Sequence, residues 1–261
     1  MEKLSFDLEK FDLKLATNQI GRNFVYAEEV ESTNTLLLSG KRIFRKNGTV
    51  LFTEFQSAGR GRMGRRWFSA RGVNLIFSIL INDQTYLRQK INLLNLVTAL
   101  AIGNSIENLF QIPVELKWPN DVLLNTKKVA GVLLESVSTG STIEKLVIGV
   151  GVNVNQTSFQ GDFNIEPISI KNVLNHNIDR ERFLAEILNN FEKHLKTVRQ
   201  KPAKILNDWR AKCRMIGERI TVSEGKSSKS GIFEDIDKNG FLILKTDSGR
   251  EIIRFGDVSL R

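Results

Sequence analysis

A chain of 261 residues that is 41% hydrophobic and 26% charged can bury a sizeable core, which argues against intrinsic disorder. Its one cysteine, Cys213, excludes an internal disulfide framework and a multi-cysteine metal site, and its plain reading is a small buried hydrophobe. A formal net charge of +9 raises the question of nucleic acid or an acidic protein partner without deciding it.

The opening residues mix charges into their apolar positions and so lack the continuous hydrophobic stretch of a secretory signal. No uninterrupted apolar run reaches membrane-spanning length, and the expectation is a soluble cytoplasmic protein without membrane association. Residues 24–30 read as a strand, and Ser32-Thr33-Asn34 ahead of Leu36, Leu37 and Leu38 reads as an N-cap with an apolar helix face. Strand patterns at 49–55 and 73–82 flank a long surface loop, 57–72, that carries Arg60, Arg62, Arg65, Arg66 and Arg71 among Gly59, Gly61, Gly64 and Gly72. Glycine allows close main-chain approach, and guanidinium forks match phosphate or carboxylate oxygens, so this loop is built to fold around an anion.

From about 86 to 110 apolar residues recur at helical spacing. Strands follow at 114–117, 121–125, 128–137 and 145–155, helices at 179–198 and 202–212, and short strands over 218–261. The order predicts an α+β fold: a mixed sheet with helices, then a compact β tail. We divide the chain into an extension at 1–20, a larger unit at 21–214 and a small β unit at 215–261. The extension is too short for a helix-turn-helix domain.

Gly59 to Gly64 satisfies G-x-G-x-x-G literally, but only eight residues, 65–72, separate it from the next strand, too few for a crossover helix, so the dinucleotide reading fails. A Walker loop and a G-x-S-x-G elbow are absent, and His176 and His194 lie far from the loops, giving no metal cluster or serine triad. Lys117-Trp118-Pro119-Asn120-Asp121 sets a charge, a ring and a carboxylate at a sheet end; taken alone it is equally an ordinary Pro-Asn turn. Of Lys127 and Lys128, alternation lets one face inward. Gly149 and Gly151, at i and i+2 of a strand, imply that a flat group or a tightly packed neighbour lies against the main chain.

In order, Glu31-Ser32-Thr33-Asn34, Gln56 through Arg62, Trp67, Lys117 through Asp121, Lys128 through Gly131, Gly149 through Asn153 and Gly256 through Leu260 resemble the biotin–protein ligases over residues 21–261. The resemblance implies a biotin–lipoate ligase fold, like that of class II synthetases, followed by a small SH3-like β domain. It implies that biotin and ATP, with Mg2+, give biotinyl-5′-AMP and pyrophosphate, and that biotin then passes to one lysine of a biotin carboxyl carrier domain. By matching position, Ser32, Thr33, Asn34 and Gln56 would hold the ureido head, completed around Arg60, Gly61 and Arg62. Gly131, Gly149 and Gly151 would let the apolar part of biotin lie against backbone. Arg62, Arg65, Trp67, Asn120, Lys128 and Asn153 would line the nucleotide, and no residue is assigned to the metal. Arg62 and Lys128 would offset the repulsion between carboxylate and phosphate, and Asp121 would accept the proton of the attacking lysine.

Met63 departs from the pattern, standing where an arginine is common. The resemblance implies a short ligase without a DNA-binding domain, and exposed strand edges would support a homodimer. The loop is expected to be mobile when empty and to order over the adenylate. Two alternatives remain: a lipoate–protein ligase or octanoyl transferase of the same fold, disfavoured by the polar Ser32, Thr33, Asn34 and Gln56, and a basic nucleic-acid-binding module.

Overall fold

The computed structural model describes residues 6–39, 41–87, 91–225 and 227–260. Alternating apolar segments assemble into a seven-stranded sheet of β1 (Phe24–Ala27), β2 (Val50–Thr53), β3 (Leu75–Ile81), β4 (Glu115–Lys117), β5 (Asp121–Leu124), β6 (Lys127–Thr139) and β7 (Thr142–Val152). Their order is β1-β2-β3-β7-β6-β5-β4. β1 and β2 run parallel and every other neighbouring pair antiparallel, so the expected mixed sheet with a meander from β4 to β7 is present.

The period of two assigns each face its task. On β3, Leu75, Phe77, Ile79 and Ile81 enter the main core, as do Ile148, Val150 and Val152 on β7. The opposite rows, Ile76, Ser78 and Leu80 on β3 and Val147, Gly149 and Gly151 on β7, are left for the other face. There α2 (Thr33–Leu38) covers half the sheet through a small core of Leu37, Phe44, Leu51, Leu80 and Val147, and the uncovered half is a cleft. As the sequence predicts, Ser32 is the N-cap of α2, its hydroxyl accepting from the Thr35 amide.

On the core face lie α4 (Leu93–Phe110) and α6 (Arg180–Gln200), which pack on each other. Short helices α1 (Leu8–Lys14), α3 (Gln84–Leu87), α5 (Ile170–Leu174) and α7 (Pro202–Arg210) complete the set. The periodic stretch read as one helix from 86 is thus two helices, with residues 88–90 outside the described range. α4 is apolar enough over its 18 residues to pass for a membrane span, yet most of it is buried, because sheet, α6 and α7 enclose it. Each such leucine or isoleucine contributes ~1.5–3 kcal/mol on burial, which outweighs the cost of Gly103 at mid-helix. At Gly103 a Cβ would sit 3.2 Å from Val114, so the glycine lets β4's approach run close to the helix.

Residues 6–20 belong to this core. Phe6, Phe11, Leu15 and Ile20 are buried, and the Glu192 carboxylate on α6 accepts from the amides of Asn18, Gln19 and Ile20. A buried ion pair, Arg180 with Glu54 at 2.6 Å, ties α6 to the strand that ends at the cleft, and Glu54 also takes the Phe6 amide. Residues 1–5 of the predicted extension lie outside the described range.

The expected β tail is a second, antiparallel sheet of β8 (Arg219–Glu224), β9 (Ser227–Ile236), β10 (Leu242–Thr246), β11 (Gly249–Ile253) and β12 (Asp257–Leu260), ordered β11-β10-β9-β8-β12. Residues 226 and 261 of this predicted stretch are outside the described range. Its apolar face, including Val222, Phe233 and Leu244, is continuous with the main core. Trp118 is buried, and its Nε1 reaches across to donate to the Gly240 carbonyl at 3.0 Å.

Two titratable groups are sealed in the core, Cys213 just after α7 and His194 on α6. Burial lifts the Cys213 thiol to about 11, which makes it the inert small hydrophobe the sequence predicts. Burial first, and then Lys193 and Lys204, lower His194 from 6.5 to about 4, while Asp208 opposes them. Its Nε2 lies 3.0 Å from Asn104 Nδ2 and accepts from it when the ring is neutral. An imidazole depressed in the folded state contributes stability that is complete above pH 6.5 and lost as the pH falls toward 4. Urea titrations should therefore show the chain losing on the order of 2 kcal/mol between pH 7 and pH 4.5 that a His194→Gln variant does not lose. Glu192, lowered to about 2, acts in the same direction below pH 4.5 and leaves this window clear.

Candidate active site

One cleft of about 910 Å³ opens on the sheet face that α2 leaves bare. Every residue singled out from the sequence as a binding or catalytic candidate lines it: Ser32, Thr33, Asn34, Gln56, Arg60, Gly61, Arg62, Arg65, Trp67, Asn120, Asp121, Lys128, Gly131, Gly149, Gly151 and Asn153.

Its roof is the arginine–glycine segment, which is a hairpin and not an irregular loop. Trp67 N donates to Gly59 O at 3.0 Å, Gly61 N to Arg65 O at 2.7 Å, and Arg65 N to Arg62 O at 3.2 Å. Met63 and Gly64, with φ of 54° and 73°, make the two consecutive left-handed positions of a type I′ turn. Met63 therefore stands at a position that glycine or asparagine fills without strain. The glycines that imitate a dinucleotide fingerprint open a β-turn, so no helix dipole stands behind them.

The floor is the glycine row. Register pairs Gly131 with Gly151, and Gly149 with both Leu133 and Ser78. The flat groups lying on it are the protein's own. A Cβ at Gly149 would fall 2.4 Å from Asn34 Oδ1, and one at Gly151 2.3 Å from the Trp67 indole, which also covers Gly131. Planar side chains from α2 and the hairpin thus lie on the row that the sequence leaves bare. The Asn34 amide is likewise committed inward, its Oδ1 accepting from Ser78 Oγ at 2.6 Å and its Nδ2 donating to Glu135 at 2.7 Å. The Trp67 Nε1 is buried and, among the described residues, has no acceptor.

The two ends of the cleft differ in chemistry. At one, uncharged hydroxyl and amide groups meet: Gln56 Oε1 accepts from both the Thr33 amide at 2.8 Å and the Thr33 hydroxyl at 2.9 Å. At the other, cations converge. Lys128 Nζ lies 2.7 Å from Asp121 Oδ1 and 5.8 Å from the Trp67 ring centroid. Lys127 points away to Glu166, as alternation requires. Arg62 donates to Asn120 Oδ1 at 3.1 Å, to the Gly256 carbonyl at 3.1 Å and to Asp257 at 3.3 Å, while Arg65 also pairs with Asp257. Burial, then repulsion from Lys128, Arg65 and Arg62, lowers the Lys117 ammonium from its usual range, Asp121 opposing them. Burial and Arg65 lower Arg62 in the same way. Four crowded cations share two carboxylates, and that surplus favours an anion.

Several residues here carry no signal of their own in the sequence. Lys117 was visible only as part of the Lys117–Asp121 motif, Asp257 as part of the closing Gly256–Leu260 motif, and Ser78 and Glu135 read as ordinary strand positions. Phe159 to Ile165 form a further wall from a stretch without periodicity. Among the described residues no group of three His, Cys, Asp or Glu side chains stands close enough to hold a metal.

Residues 26–153 match the biotin/lipoate A/B protein ligase family, and residues 215–261 the biotin protein ligase C-terminal domain. The chain is 35% identical to the biotin–[acetyl-CoA-carboxylase] ligase of Paracoccus denitrificans, over 87% of this chain and 96% of that one. It is 32% identical to the bifunctional ligase/repressor BirA of Bacillus spizizenii, over 99% and 79%.

The chain belongs to the biotin/lipoate protein ligase family.

Among solved structures of the family, the Aquifex aeolicus biotin protein ligase in complex with biotin and ATP superposes with a TM-score of 0.80 at 31% identity, covering 92% of this chain and 99% of that one. The fold, including the small β unit, is therefore that of a biotin protein ligase.

Proposed function

We propose that this chain is a biotin–protein ligase that condenses biotin with ATP to biotinyl-5′-AMP and pyrophosphate and then transfers biotin to a lysine of a biotin carboxyl carrier domain. One observation carries the reading: a neutral hydroxyl-and-amide pocket and a surplus of cations occupy opposite ends of a single cleft. The reactants have the same polarity of ends. A ureido head exchanges water for neutral hydrogen bonds from Ser32, Thr33 and Gln56, and a carboxylate and a triphosphate gather where Arg62, Arg65, Lys117 and Lys128 stand. The apolar part of biotin then lies against Trp67, which itself rests on Gly131 and Gly151. Mg2+ would come with the phosphates of ATP and neutralise their charge, since among the described residues no carboxylate cluster stands ready to hold it.

In the first step the biotin carboxylate oxygen attacks the α-phosphorus, and Arg62 and Lys128 stabilise the charge growing on the phosphoryl oxygens. Asp121 aims Lys128 by its 2.7 Å ion pair. Proton acceptance from the acceptor lysine falls to Asp121 once the phosphate has drawn Lys128 away. Asp121→Asn should accordingly slow both half-reactions, transfer by about tenfold more than adenylation, as single-turnover assays started from biotin and from preformed adenylate would resolve. Equal loss in the two would remove the base assignment and leave the aiming role.

The function is tested by incubating the chain with biotin, Mg-ATP and an apo-carrier domain and weighing the products. Biotin-dependent ATP–pyrophosphate exchange with a biotin-sized mass gain on the carrier is the expected result. Lipoate or octanoate modification without biotin uptake would overturn it.

A further inference from the structure

We propose that Glu135 sets the hydrogen-bond polarity of the ureido pocket and is thereby a positioning residue for biotin, an inference that rests on the ligase reading above. Glu135 lies on the β6 row that faces α2, two positions beyond Leu133 and directly opposite Val147. Arg60 donates to both its oxygens, at 3.0 and 3.1 Å, and its side chain is 27% exposed.

A carboxylate paired with a guanidinium offers acceptors only. Asn34 Nδ2 donates to Glu135 at 2.7 Å and, at the longer distance of 3.3 Å, to the Leu133 carbonyl, both of them acceptors only, and this leaves Oδ1 toward Ser78. Ser78 is fully buried and has one proton; with Asn34 Oδ1 able only to accept at 2.6 Å, that proton is committed there. Ser78 Oγ also lies 2.6 Å from Thr33 Oγ1, so it can only accept from Thr33. Whether the Thr33 proton goes to Ser78 or to Gln56 Oε1 2.9 Å away, it stays inside the protein. The Thr33 oxygen is thus left facing the cleft as an acceptor, which matches an N–H donor such as that of a ureido ring and rejects a second acceptor in its place.

Glutamine at 135 can donate as well as accept. In Glu135→Gln only the longer bond to the Leu133 carbonyl still fixes the sense of the Asn34 amide; when the amide flips, Ser78 can turn its proton to Thr33, and the Thr33 hydroxyl is then divided between Gln56 Oε1 and the ligand. The relay then has two senses where the native chain has one.

Isothermal calorimetry on Glu135→Gln, Ser78→Ala and the double variant tests this. The expected result is biotin Kd raised about tenfold in each single variant, with pyrophosphate exchange at saturating biotin within about threefold of wild type. The double variant should be no weaker than the worse single, because both changes break one relay. Desthiobiotin, which keeps the ureido ring, should lose the same factor. Wild-type affinity in Glu135→Gln overturns the proposal, as do losses that multiply to about a hundredfold in the double variant, the mark of two independent structural defects. Ser78→Ala keeps the test informative if Glu135→Gln folds poorly. A wild-type chain that takes up no biotin would instead sink the ligase reading and the proposal with it.

Discussion

Lys128→Met should lower biotin-dependent ATP–pyrophosphate exchange by two to three orders of magnitude while leaving biotin affinity within a few fold. The ammonium sits at the cation-rich end, beside Trp67 and against Asp121, whereas the Thr33–Gln56 contacts answer a neutral head. Removing one preorganised donor to a developing oxyanion costs ~10²–10³ in rate, about 3–4 kcal/mol. The single change also orphans Asp121, whose side chain is 14% exposed, and that alone would destabilise the site. Lys128→Met with Asp121→Asn removes the orphan, and a comparable loss of exchange in that pair assigns the effect to the lost cation. Exchange within tenfold of wild type in both variants would transfer the role to Lys117 or Arg62.

Gly151→Ala is expected to weaken biotin uptake by one to two orders of magnitude with little change in the thermal midpoint. The added methyl would lie 2.3 Å from Trp67 Cε2 and 2.7 Å from its Nε1, and the neighbouring floor is backbone. Overpacking of this kind costs ~1–3 kcal/mol. Here the indole has room to leave toward the cleft, so the strain is relieved by unseating Trp67 and the hairpin stem that ends there. Faster amide exchange at residues 59–67 should accompany the loss, and unchanged exchange with native affinity would show that Trp67 is not the roof's anchor.

How much of this was legible in the sequence differs by element. The sheet was, since the nearly continuous apolar runs of β3 and β7 suit strands covered on both faces. So was the pairing of Ser32 with α2, a cap followed by its apolar face. The start of α4 was not, because apolar spacing continues through Tyr86 and Leu87 into a separate short helix. The arginine segment was placed correctly between two strands but its hairpin was hidden, because Met63 is a poor marker for a left-handed turn. At the site, residue types with a chemistry of their own declared themselves. The glycine row declared its emptiness but not its occupants, since Trp67 and Asn34 arrive from elements 84 and 115 positions before Gly151 and Gly149. Ser78, Glu135 and Asp257 acquire their parts only by tertiary placement, and a strand serine or glutamate has no local pattern to announce that.

Arg62 and Arg65 are fastened to Asp257, 195 and 192 positions later in the chain. During synthesis the roof can take its earlier holds on Asn120 and Glu135, but it gains this one only after residue 257 has emerged and the second sheet has closed. The two arginines at the cation-rich end are thus completed by the last strand of the second sheet, which makes that sheet a buttress of the cleft and not a detached appendage.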